Sequence, residues 1–153
     1  MRREGNTYHV GENAMIQTGF WIGDKDWWIM ANLDIKEKNL GDVYHALMAS
    51  GCPDDEARHA CMVLSRKNNG YAFTSPEGQF TLLFASETKS ADEMFDTIMH
   101  EIKHAVEHIS SYYGVSPKSE EAAYLQGEIS RCMFPAVALV VCPRCHNKKG
   151  EER

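Results

Sequence analysis

Residues 90 to 113, SADEMFDTIMHEIKHAVEHISSYY, constrain this chain more than any other stretch. At about 100° per residue, Met94, Phe95, Ile98, Met99, Ile102, Ala105, Val106 and Ile109 fill one arc, so the segment is predicted to be an amphipathic helix with that arc in the core. Ser90 followed by Glu93 forms a capping box, Asp92, Glu93 and Asp96 place negative charge at the positive helix end, and Gly114 supplies the stop. His100, Glu101, His104 and His108 fall between the apolar arc and the solvent side, at the edge of the core. His100 and His104, four residues apart, lie one above the other, so their imidazoles can share one Zn2+ while Glu101 reaches a metal-bound water.

The rest of the chain must build a body around this helix. With 153 residues and 43% hydrophobic content it can bury one proper core, and a single domain over 1–153 is expected, with 1–12 and 142–153 loosely ordered. A net charge of −6, with no dense lysine or arginine stripe, argues against nucleic acid as a partner. No basic segment followed by an apolar run opens the chain, and the longest apolar run, Pro135 to Val141, is too short for a bilayer; a cytoplasmic protein with no membrane partner is expected. Five cysteines is an odd number for a disulfide framework, so free thiols are expected.

In chain order, Met1 to Glu12 is polar and is read as irregular. Ala14 to Ile22 is read as a strand, Gly23-Asp24-Lys25-Asp26 as a turn and Trp27-Trp28-Ile29-Met30 as its β-prone partner. Trp21, Trp27 and Trp28 are assigned to core packing rather than to a binding platform. Leu40 to Ser50 carries helical spacing and is closed by Gly51; Pro53 opens a second helix whose stripe is Ala57, Ala60, Cys61 and Leu64, ended by Asn68-Asn69-Gly70. His45, His59 and Cys52 have no partners at ligand spacing there and are read as structural or exposed rather than metal-binding. Tyr71 to Thr74 and Gln79 to Ala85 flank Ser75-Pro76-Glu77-Gly78 and form a predicted hairpin whose second strand could offer an edge to an extended peptide.

After Gly114, Ser116 is the expected N-cap and Pro117 the first position of a helix running back along the first, through Ser119 to Glu128. A carboxylate from it would complete a His2Glu set and leave one coordination position for water. Glu120, Glu121 and Glu128 compete for that role, and spacing alone does not choose among them.

Together, HEIKHAVEHI, a short break and SEEAAYLQGEI resemble the small HExxH zinc metallopeptidases of phages and mobile elements and the minimal gluzincins, over about residues 68 to 135. The resemblance implies an α+β fold with a compact zincin-like core: a small antiparallel sheet, an active-site helix and a following glutamate-bearing helix. It implies His100, His104 and Glu120 as Zn2+ ligands, Glu101 as general base and a peptide or protein as substrate. Alignment on the neighbouring Glu-Ala pair selects Glu121 instead. His108, Tyr112, Tyr113 and Tyr124 are the candidates for stabilising a tetrahedral oxyanion. The alternative is a non-catalytic protein that keeps zinc as a stabiliser of a scaffold or partner-binding fold. Cys142-Pro143-Arg144-Cys145 has the spacing of half a zinc knuckle, with its second pair missing.

Overall fold

The computed structural model describes residues 7–9 and 15–141. The strands are β1 (Thr7–His9), β2 (Ile16–Trp21), β3 (Trp28–Ile35), β4 (Gly70–Ser75) and β5 (Phe80–Ser86), and the helices are α1 (Leu40–Ala49), α2 (Asp54–Leu64), α3 (Ala91–Tyr113) and α4 (Glu120–Val141). The α+β expectation holds, with a helical layer on each face of one sheet. None of the described helices is long and apolar enough to cross a membrane. The Cys142 and Cys145 reading lies outside the described residues.

Sheet order is β1-β2-β3-β5-β4. The antiparallel sheet expected from the sequence is corrected here: β3 and β5 run parallel, from Trp28 opposite Phe80 to Asn32 opposite Phe84. The reason is the connection. From the end of β3 the chain crosses one sheet face as α1 and α2, returns as β4, and the β4–β5 hairpin then inserts β5 between β3 and β4. That leaves β4 as the outer strand among the described residues, antiparallel to β5 and with its other side unpaired by any of them. The reading of Met1 to Glu12 as irregular is also corrected in part, because Thr7 to His9 pair with Gly19 to Gln17 of β2. Such an edge strand is held by backbone hydrogen bonds and needs no apolar alternation to announce it.

Every residue of β5 after Phe80 is buried, because it is covered on both faces. Leu83 and Ala85 point to a cluster built from Met94, Ile98, Ile102 and Ala105 of α3 and Leu125, Ile129 and Met133 of α4. Leu82 and Phe84 point the other way, to Val43 and Leu47 of α1 and Ala57, Ala60 and Leu64 of α2. Of the three tryptophans, Trp27 is fully buried, while Trp21 and Trp28 are half-buried and meet edge to face at 5.2 Å.

The α3 boundaries agree with the sequence reading. Ser90 Oγ accepts from the Glu93 N–H at 3.3 Å, and Gly114 closes the helix at φ 69° and ψ 28°. A side chain at that left-handed position is strained, so Gly114→Ala is expected to cost about 1 kcal/mol in urea unfolding. An unchanged midpoint would show that the turn relaxes. For α4 the capping residue is corrected to Ser119, whose Oγ accepts from Ala122 N–H at 3.1 Å; Ser116 Oγ accepts from Lys118 N–H, inside the preceding turn. The helix also runs on to Val141, through Pro135.

Candidate metal centre

α3 lies over β5 and β4, and α4 lies beside it over β3 and β2. His100, Glu101 and His104 therefore sit on the flank of α3 that faces β4 and its unpaired edge. Their ligand atoms lie within 4.8 Å of one another, and among the described residues this is the group that could hold a metal ion. The His100 and His104 Nε2 atoms are 3.1 Å apart with their rings nearly perpendicular at 84°. Two imidazole nitrogens on one tetrahedral ion would be separated by about 3.4 Å, so the side chains already stand close to a chelating geometry.

Glu101 occupies a different environment. Its side chain is 6% exposed, and burial pushes the carboxyl up to about 7. It lies directly against Gly70: a Cβ built there would be 2.6 Å from both Glu101 Cγ and Oε2. Glycine opens β4 because the carboxyl group fills the space a side chain would take. Asn68 holds that approach in place. It adopts φ 67°, which asparagine tolerates, its Oδ1 accepts from Lys89 N–H at 3.1 Å, and its amide donates to Glu93 Oε2 at 3.2 Å. The start of β4 is thus tied to the start of α3. Around it Asn68, Asn69, Gly70, Asp96, Thr97, His100 and Glu101 line a cavity of about 280 Å³.

Two turns farther along α3, His108 meets the other end of β4. Its Nδ1 is 2.7 Å from Thr74 Oγ1, which is 2.9 Å from Thr81 Oγ1, which accepts from Trp27 Nε1–H at 3.0 Å. The indole can only donate. The direction that gives each proton in this row an acceptor runs from Trp27 to Thr81, to Thr74, to His108 Nδ1, leaving the His108 proton on Nε2. Burial, and then the neighbouring His104, lower the His108 pKa, which agrees with a neutral ring. His108 also lines a groove of about 480 Å³ with Phe73, Thr74, Pro76, Glu107 and Ser111.

The glutamates of α4 stand elsewhere. Glu120 is exposed in the first turn of α4 and lies outside the His100–Glu101–His104 group. With Asp24, Lys25, Glu121, Tyr124 and Glu128 it lines a depression beside the β2–β3 turn. Glu121 pairs with Lys25 at 3.4 Å, and Glu128 Oε2 accepts from Gly23 N–H at 2.5 Å. These contacts anchor the turn, and the structure does not bring Glu120 or its two competitors to the histidines. Nor does it bring Tyr112 and Tyr113, whose rings pack on Trp27 at 5.1 and 6.1 Å, or Tyr124, which is 75% exposed on the outside of α4. His108 is the one oxyanion candidate beside β4.

Sequence reasoning missed Gly70 and Asn68 as parts of the site. Asn68-Asn69-Gly70 reads locally as a helix stop, and its second role exists only where the hairpin meets α3. The chain matches no protein-family profile, no curated protein and no solved structure.

Proposed function

We propose that this protein is a zinc-dependent metallopeptidase in which His100 and His104 supply two of the Zn2+ ligands and Glu101 is the general base. The observation that carries the reading is the division of labour on one helix flank: two imidazoles 3.1 Å apart beside a buried carboxyl group whose pKa is raised to about 7. A closed structural site has no use for such a carboxyl group, whereas a general base works best when its pKa lies near the operating pH. Bound zinc supplies Lewis acidity, lowering the pKa of a coordinated water and polarising a carbonyl. Glu101 takes the proton from the attacking water and delivers it to the leaving amine. The unpaired edge of β4 runs past Glu101 at Gly70 and past His108 at Thr74, so an extended peptide added to that edge is drawn across the site. His108, with its proton on Nε2, offers a donor along the same groove.

Zinc content after purification without added metal tests this reading. We expect one equivalent in the wild type, its loss in His100→Ala and His104→Ala, and its retention in Glu120→Ala and in a Cys142→Ser/Cys145→Ser variant. Zinc that survives loss of the histidines and disappears with the cysteines would overturn it. A protein that needs zinc for folding, yet cleaves no peptide in a diverse library, would support the scaffold reading instead.

A further inference from the structure

α4 has a second organised face. Its inner side is buried against the sheet, whereas Glu120, Tyr124, Gly127, Arg131 and Phe134 all face solvent. They follow one another at intervals of four, three, four and three residues, the 3.5-residue period that keeps one helix in register with another. Tyr124 is 75% and Phe134 66% exposed, the two most exposed large hydrophobic side chains among the described residues. Between them Gly127 leaves a notch, since nothing stands within 4 Å of where its Cβ would be. Neither Glu120 nor Arg131 has an ion-pair partner among the described residues.

This face is complementary to itself. When two copies of α4 run antiparallel about an axis level with the Leu125–Gln126 bond, Tyr124 of each meets Gly127 of the other. Glu120 meets Arg131 in the same register, because both pairs share that midpoint. A large side chain opposite a notch and opposite charges in register are what a twofold interface requires of a single surface, each contact occurring twice. Pro135 removes the hydrogen bond to the Arg131 carbonyl directly after Phe134, within a helix that continues to Val141.

We propose that the protein self-associates through this face of α4 as an antiparallel twofold dimer. The contact spans about two heptads, less than a permanent interface needs, so the dimer is reversible and concentration-dependent. It lies on the outside of α4, away from β4, and does not depend on the metal reading.

Sedimentation velocity of the full chain, from about 10 micromolar to about 1 millimolar, tests it. The wild type is expected to pass from monomer to dimer over that range. Glu120→Arg and Arg131→Glu should each weaken association about tenfold, since each places two like-charge pairs in the interface, and the Glu120→Arg/Arg131→Glu double variant should recover it. Gly127→Leu, which fills the notch, should also weaken it. Circular dichroism checks that each exposed substitution leaves the fold intact. A wild type that stays monomeric throughout, a double variant no better than either single one, or a dimer indifferent to all of these changes would overturn the proposal.

Discussion

Glu101→Gln is expected to stabilise the metal-free protein at pH 8, flatten the pH dependence of its stability, and remove hydrolysis while zinc stays bound. Burial raises the carboxyl from its ordinary value to about 7. Between about pH 4.5 and pH 7 the unfolded chain has already released this proton while the folded protein still holds it, so the unfolded state binds fewer protons and stability falls as pH rises. Above about pH 7 the folded state carries the full cost of a buried charge, at most about 3 kcal/mol by linkage. Glutamine has the same shape and no charge, so it removes that term.

Unfolding in urea with a chelator at pH 5 and pH 8 measures the effect. Wild type should lose stability relative to Glu101→Gln across that interval; parallel curves would show that the carboxyl group is not held neutral. Under the proposed peptidase reading, the same substitution in the zinc-loaded protein removes the proton acceptor, with an expected loss of about 10²–10⁴-fold in peptide hydrolysis. Undiminished hydrolysis would assign the base to another residue.

Trp27→Ala is the second large effect, expected to cost about 3–5 kcal/mol. Trp27 is fully buried, its indole N–H bonds Thr81, and its ring lies edge to face with Tyr112 at 5.1 Å. One residue therefore joins the β2–β3 turn, the interior strand β5 and the last turn of α3. Trp27→Phe keeps most of the buried area and loses the donor, for which we expect a smaller loss of about 1 kcal/mol from the hydrogen bond. Urea unfolding of both variants separates packing from hydrogen bonding. A Trp27→Ala protein within about 1 kcal/mol of wild type would mean that the ring is not the anchor its burial indicates.

What could be read along the chain was what depends on neighbours in sequence. The extent of α3 follows from Ser90, Glu93 and Gly114, and the common flank of His100, Glu101 and His104 follows from the helical repeat alone. The β4–β5 hairpin was legible because proline and glycine stand at its turn. The parallel pairing of β3 with β5 was not, since their strands are separated by two helices and a third strand, and no local pattern records which edge a returning hairpin joins.

The site divides in the same way. Sequence by itself determined which two imidazoles and which carboxylate share a helix flank, because covalent spacing sets that geometry wherever the helix lies. Only the tertiary structure decided that Glu101 is buried against Gly70, that His108 ends a row of hydrogen bonds from Trp27, and that Glu120 lies beside the β2–β3 turn instead of the histidines. A helical period tells which side of α4 is apolar. It does not tell which sheet strands that side covers, and it is the placement of α4 over β2 and β3 that carries its glutamates away from the β4 edge.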